Sequence, residues 1–559
     1  MGLKTSHNRI LLVSVGLAIA TLVSCWIVPY RMYQQGGYYA FAYVSDEMTY
    51  ASRSQPLIAG TTAGNPVNGI GDASIISPFY LEDSIRVALN ITGLNVITGF
   101  WLWRAAFPLM LLLAAFPFAL ACFRRSRLFI RPLALGFAAA VPALTYALYH
   151  LYGGAPPLHG WLERIPTNIE YPLSILVIAA FIHLIDTPSQ KSGVLMAASS
   201  LILLYLRPYA AMPLVFTLAF GATALLLLRR VGWKDCVPGL AVLLLGAGPW
   251  IAINRWNGQS EQYREMMTRY FFSEEYRLHE RWLFFAGLLA GYVLLAQFAP
   301  QRRRIFFYSA ACGLAGLIFV PGASRLSSEL LTDRFGCYYI PATLAAAAIL
   351  VEHWISRGKG STALKRATGV AWACCVLGFV AAAMIAIQNA QCDFLQWPNG
   401  PYALCLKERD YVRGYQWFET KTPPDALVLV DDGIDWSQAP ADVEGLLRFS
   451  AALKLTSLDD LFQVVARRRR VHHIRLYGNV IATRDVQALA ALHRGTFGRV
   501  MDPQVYSTAL LYFRPQYVFW KKDSAPVGRG FGSALRRHAR TVYEDDHCEI
   551  WELALPQPQ

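Results

Sequence analysis

Runs of apolar residues too long and too numerous for a water-soluble core dominate this chain. Ala105–Cys122 and the run 368–389 each approach or exceed the roughly 20 residues that carry a helix across a bilayer. Only 16% of the residues are charged, against roughly 25% in soluble domains. That deficit excludes an ordinary cytosolic enzyme. The sequence predicts a polytopic α-helical membrane protein of about eleven spans, over 10–29, 97–122, 129–151, 169–186, 193–206, 209–228, 237–253, 282–299, 305–321, 338–354 and 368–389.

Punctuation within these runs follows backbone chemistry. The stretch Ser192–Leu228 holds ~37 residues, and at about 1.5 Å each it is too long for one crossing of a core of about 30 Å. Arg207-Pro208 divides it, because proline lacks the N–H and clashes with the preceding turn. A tight hairpin of two short helices is expected there.

The net charge of +14 resides largely in short basic clusters between apolar runs: Arg124-Arg125 with Arg127, Arg229-Arg230 with Lys234, Arg302-Arg303-Arg304, and Arg357 to Arg366. In that setting it reads as a topology signal and not as a nucleic-acid footprint. The basic loops are assigned to the cytoplasm, and the loops of mixed sign, rich in aromatics, to the other side. An N-terminus inside and an odd number of spans then place 390–559 outside. The first span, although Leu22-Val-Ser-Cys25 resembles a lipoprotein signal box, continues apolar through Val28 and is read as an uncleaved anchor.

From 390 onward the composition changes. Strand-like runs, Ala426–Val430 and Tyr517–Trp520, alternate with the helical pattern Glu408–Thr420, predicting a small mixed α/β domain. Arg467–Arg470 is expected on a solvated or headgroup-facing surface. Cys374-Cys375 falls inside a span and reads as core. Cys392 and Cys405 flank a loop containing Trp397-Pro-Asn-Gly-Pro401 that can fold back, and they form a disulfide candidate in an oxidising compartment. No cysteine pair has metal-ligand spacing echoed elsewhere, so no metal site is assigned.

The most informative segment is the first outer loop, 31–96. It carries Ser45-Asp46-Glu47-Met48-Thr49-Tyr50 and then Arg53. Two adjacent carboxylates just beyond a membrane helix lie near the headgroup plane, where ionisable groups are costly unless paired or used. Helix capping by Ser45 and Asp46 is the plain reading and is compatible with catalysis. Farther along, Asp72 follows Gly71 in a turn-like stretch, and Ser77–Asp83, with Glu82, starts a short helix lying on the membrane.

The acidic pair Asp46-Glu47 after the first span, the long first outer loop, the alternation of short and long loops and the C-terminal exported domain together resemble the GT-C superfamily of integral membrane glycosyltransferases. Asp333-Arg334-Phe335 with Tyr338-Tyr-Ile-Pro341, and Thr422-Pro-Pro-Asp-Ala-Leu-Val, look similar to segments of such enzymes. The resemblance implies an inverting enzyme of a bacterial inner membrane, with its active site and C-terminal domain in the periplasm. The donor is a polyprenyl-phosphate sugar and the acceptor an envelope glycan, lipid or protein.

Asp46 then takes the place of the base and Glu47 orients it or contacts the acceptor. Arginines at the outer face, Arg207, Arg334 and Arg53, are the candidates for the donor phosphate. Asp72, Glu82, His159 and Tyr50 are candidates for substrate contact. A divalent metal, Mg or Mn, is left open, since members of the family differ in this respect. Two rival readings stand beside it: a polymerase or ligase using a pyrophosphate-linked donor, and a lipid-linked sugar transporter. Transporters commonly show internal repeats and ionisable groups at the midplane.

Overall fold

A computed structural model describes residues 2–41, 47, 50–51, 54, 80–126, 129–153, 165–206, 208–230, 232–257, 259, 279–319, 336–391, 408–431, 460–471, 483–497, 503–522 and 539–554. Two compact units divide the chain. One comprises Met1–Arg31, Trp101–Ala252 and Phe271–Asp393, and the other Met32–Phe100, Ile253–Tyr270 and Phe394–Gln559.

The first unit is helical. Along the chain run α1 (Gly2–Gly36), α2 (Tyr80–Thr92), α3 (Val96–Cys122), α4 (Ile130–Gly153), α5 (Ile165–Asp186), α6 (Gln190–Leu206), α7 (Pro208–Leu227) and α8 (Trp233–Asn257). They are followed by α9 (His279–Ala296), α10 (Arg304–Phe319), α11 (Gly336–Ser356) and α12 (Ser361–Gln391); α2 belongs to the second unit. Among the described residues, six helices are long and apolar enough to cross a membrane: α1, α3, α4, α5, α11 and α12. Five shorter apolar helices correspond to α6, α7, α8, α9 and α10. The chain is thus a multi-pass membrane protein in its architecture. The expected division at Arg207-Pro208 is present, with α6 ending at Leu206, α7 starting at Pro208, and the two packed together.

Close approach of backbones builds this unit. A Cβ on Gly136 of α4 would lie 2.9 Å from Ala371 O of α12, and one on Gly378 of α12 would lie 2.6 Å from Leu17 Cδ2 and 3.1 Å from Ala140 Cβ. Small residues at four-residue spacing, Gly136 with Ala140 and Ala367, Ala371 and Cys375, let helices pack without a hydrophobic driving force between them. Side-chain hydrogen bonds add to this. Ser24 Oγ donates to Ala382 O at 3.1 Å, Asn389 Nδ2 to Ser24 O at 2.8 Å, and Tyr338 Oη to Ala310 O at 3.1 Å. Each such bond contributes about 0.6–2 kcal/mol in lipid. Cys375 is buried within this contact, facing Ser14, as expected of a core cysteine.

Outward faces are apolar. Leu11, Val15, Ile19, Val23 and Trp26 form an exposed stripe on α1, and Val376, Val380, Met384 and Ile387 form another on α12. Such rows suit a helix whose outer solvent is acyl chain.

In the second unit, a 3-10 turn at Arg409–Tyr411 leads into α13 (Val412–Lys421), then β1 (Leu427–Val430), α14 (Asp460–Ala466) and β2 (Arg469–Arg470). There follow α15 (Thr483–Phe497), α16 (Pro503–Phe513), β3 (Tyr517–Lys521), β4 (Ala539–Glu544) and β5 (Cys548–Leu553). The strands form one sheet in the order β2-β1-β3-β5-β4, parallel across β2, β1 and β3 and antiparallel across β3, β5 and β4. Tyr415, Phe418, Phe462 and Phe519 form its aromatic core. The mixed α/β pattern agrees with the sequence expectation, and the predicted runs 426–430 and 517–520 coincide with β1 and β3.

The arginine run 467–470 departs from expectation. Arg468 and Arg470 are buried. Arg468 donates to Glu419 O at 2.7 Å and to Thr422 O at 2.8 Å, closing carbonyls left open at the C-terminus of α13. Arg467 projects outward, in a loose 3.5 Å pair with Glu419. The open helix end accounts for Arg468, and burial rather than solvation for Arg470.

Candidate functional site

The first outer loop groups with the C-terminal α/β segment in one compact unit. Its path from α1 is fixed by specific contacts. Gly37 takes a positive φ of 68° after the helix end, a conformation that costs glycine little. Tyr38 then donates to Asn95 Oδ1 at 2.6 Å, and Asn95 accepts the Thr98 amide at 2.8 Å as the cap of α3. Gln416 of α13 donates to Tyr39 Oη at 2.9 Å, and Phe41 packs edge-on to Phe100 with ring centroids 5.5 Å apart. Burial lifts the Tyr39 phenol above its ordinary value, against the opposing Gln416 hydrogen bond.

Beyond Phe41, Glu47, Tyr50, Ala51 and Ser54 are helical. Their spacing of three and four residues puts them on one face. Glu47, Ala51 and Ser54 are fully buried and Tyr50 is half-buried. Glu47 and Tyr50, named separately as candidates from the sequence, thus fall on one helical face, and that face is turned inward. A buried carboxylate requires charged or hydrogen-bonding neighbours, or protonation. Such a group suits orienting or proton-transfer chemistry better than surface solvation.

The amphipathic α2 follows. Its inner side carries the buried Leu81, Arg86 and Leu89, while Val87 and Ile91 are exposed, Ile91 by 81%. Gly93, at a φ of 68°, ends the helix two residues before the Asn95 cap. Its apolar exposed side, joined directly to an apolar helix, suits a helix lying in the membrane interface. Glu82 belongs to α2, but its side chain lies outside the described residues. Asp46, Arg53, Asp72, His159, Arg207, Arg334, Cys392 and Cys405 also lie outside them.

In the C-terminal segment, charged groups gather at the carboxyl edge of β1 and β3. Lys521 Nζ donates to Glu408 Oε1 at 2.5 Å, Tyr415 donates to Glu408 Oε2, and the Lys521 ammonium sits 5.1 Å from the Tyr411 ring centroid. Asp431, buried at the end of β1, accepts the Lys521 amide at 3.4 Å. This network ties the entry of α13 to the sheet.

The helical unit holds ionisable residues that sequence reasoning passed over. Arg104 on α3 and Glu170 on α5 are buried. Both interrupt apolar runs, a signal legible in the sequence and a pointer to function in membrane helices. Arg303, read as a topology residue, is completely buried between Asp186 and Glu352. Among the described residues, no group of three or more His, Cys, Asp or Glu side chains gathers to hold a metal ion.

Comparison with known proteins adds no relative: no protein-family description matches the chain, and no curated protein is significantly similar to it.

Proposed function

We propose that this chain is an inverting membrane glycosyltransferase of GT-C type that moves a sugar from a polyprenyl-phosphate donor to an envelope glycan, lipid or protein acceptor. The six long and five shorter apolar helices all cross a bacterial inner membrane in this reading, leaving the first outer loop and the C-terminal domain on the periplasmic side. The observation that carries it is the buried, helical Glu47, eleven residues beyond the end of α1 and beside Asp46 in sequence. Interfacial α2 supports it further, since a lipid-linked donor must be met at the membrane surface.

The chemistry follows from what transfer requires. The acceptor oxygen attacks the anomeric carbon while its bond to the phosphate oxygen breaks, and charge grows on the departing polyprenyl phosphate. Asp46 takes the acceptor proton, and Glu47 holds Asp46 or the acceptor in line. Arg207, Arg334 and Arg53 are the residues proposed to receive the phosphate charge. Mg or Mn would supply further charge neutralisation at the phosphate if the enzyme uses one.

The test is turnover of purified full-length protein with a panel of polyprenyl-phosphate sugars, reading release of polyprenyl phosphate from wild type and Asp46→Asn, with and without a chelator. A general base contributes about 100- to 10,000-fold, so the variant should lose that much of its rate and keep donor binding. Near-normal turnover by Asp46→Asn removes the assignment of the base. No release with any donor favours the pyrophosphate-donor polymerase or the transporter.

A further inference from the structure

The most completely specified polar cluster lies at the end of the helical unit that bears the basic loops. Arg303 immediately precedes α10, and its guanidinium uses all five of its N–H donors. Nε donates to Asp186 Oδ1 at 3.2 Å, and one Nη2 hydrogen goes to Asp186 Oδ2 at 2.5 Å. The second Nη2 hydrogen goes to Ala121 O at 3.2 Å, while Nη1 serves Cys122 O at 2.5 Å and Glu352 Oε2 at 2.6 Å. Glu352 Oε1 in turn accepts the Ser126 amide at 3.0 Å. Arg125 Nε, half-exposed, approaches Asp186 to 3.9 Å from the rim.

This one side chain joins the C-terminal ends of α3, α5 and α11 to the start of α10. Two of its partners are main-chain carbonyls at the end of α3, groups that no helix bond satisfies. Separating any one helix end from the others therefore breaks a charged hydrogen bond or strands a terminal carbonyl. A two-part gate would divide its charges between two halves that part. Here a single guanidinium is shared among four elements, and Phe123, Phe306, Phe307 and Ile355, close in sequence to its partners, are buried as well.

We propose that the Arg303 clasp is a permanent seal: the basic-loop end of the helical unit stays closed throughout the working cycle, so that substrates enter and leave only at the opposite end or laterally from lipid. The lipid arm of its test rests on the donor proposed above, whereas the Arg303 arm does not. The inference separates an enzyme working at one face from a carrier that must open both.

Cys122, fully buried at the clasp, is a native reporter. Full-length protein is exposed to N-ethylmaleimide in detergent, and modification of each cysteine is followed by peptide mass spectrometry. In wild type, Cys122 should stay protected, and adding undecaprenyl phosphate or a polyprenyl-phosphate sugar should change its rate by less than twofold. Arg303→Lys keeps the charge but loses the planar fork and two donors, and should raise Cys122 modification at least tenfold while buried Cys548, in the other unit, stays protected. A tenfold rise in wild type on adding either lipid shows a gate and overturns the seal. Equal Cys122 protection in Arg303→Lys and wild type overturns the role of Arg303. Should Arg303→Lys not accumulate, Glu352→Gln is measured in its place and read by the same Cys122 rate.

Discussion

Replacing Lys521 by methionine should loosen the C-terminal domain by an amount that its geometry sets. The ammonium and the Glu408 carboxylate meet at 2.5 Å with side chains only 4% and 8% exposed, so solvent screens the pair little. Without Lys521, Glu408 keeps the Tyr415 hydroxyl and loses its counter-charge. Removing one partner of such a buried pair costs about 3–5 kcal/mol, or roughly a 100- to 4,000-fold increase in the opening equilibrium at 1.4 kcal/mol per decade. Cys548 stands opposite Lys521 in the β3–β5 register and is fully buried, so its modification rate reports that opening. The control is built into the electrostatics. Burial pushes the Cys548 thiol up and Lys521 pulls it down, so deleting the lysine makes the thiol intrinsically less reactive. An observed acceleration must then come from opening. The double variant Lys521→Met with Glu408→Leu, which leaves no lone charge, should recover most of the protection. An acceleration under threefold in the single variant, or a double variant no better protected, would refute the reasoning.

Two other substitutions probe the same domain. Gly414→Ala places a Cβ 2.7 Å from Cys548 Sγ and 2.8 Å from Phe519 Cε2. The overpacking, about 1–3 kcal/mol, should outweigh the helix-propensity gain of about 1 kcal/mol and lower the melting temperature of the domain; a rise would show that β5 yields. Burial pushes the Asp545 carboxyl up, but hydrogen bonds from Tyr543 and from the Cys548 and His547 amides hold it below its ordinary value overall. Its stabilisation is therefore present above the unfolded carboxylate range, about pH 3.9, and is lost as pH falls through the lower folded value. Hydrogen exchange of the 545–548 turn between pH 6 and pH 3 should show an acid-induced loosening that Asp545→Asn lacks, and equal acid responses would exclude this role.

The elements that could be read from the sequence are those governed by local rules. Apolar runs gave the helices, Arg207-Pro208 the break between α6 and α7, and short valine- and aromatic-rich runs the strands β1 and β3. The acidic pair that includes Glu47 stood out in the sequence because carboxylates beside an apolar helix have few inexpensive positions, but its burial did not. Burial of charge was not legible, because it is settled by elements far apart in the chain. Arg303 meets Asp186 and Glu352 across separations of 117 and 49 residues, and Arg468 finds the end of α13 46 residues away. Glu170 and Arg104 were visible as lone charges in apolar runs but were passed over in favour of loop residues.

The three consecutive arginines 302–304 show why a topology signal and a structural role are not alternatives. Arg302 is exposed. Arg303 is swallowed by the clasp. Arg304 donates to Ala299 O at 3.2 Å and Gln297 O at 3.3 Å, closing the carbonyls that follow α9. A positive charge retained on one side of a membrane during insertion is thus delivered beside the negative ends of helices that finish on that side. Three helix C-termini converge there, and carboxylates near such ends would be repelled unless a cation lay between them. Arg303 is that cation, with both Asp186 and Glu352 within 2.6 Å. The clasp is therefore a consequence of topology as much as of packing: reversing the orientation of α10 would move its arginine away from the helix ends that need it. A chain built in this way fixes one end of its helical unit by charge.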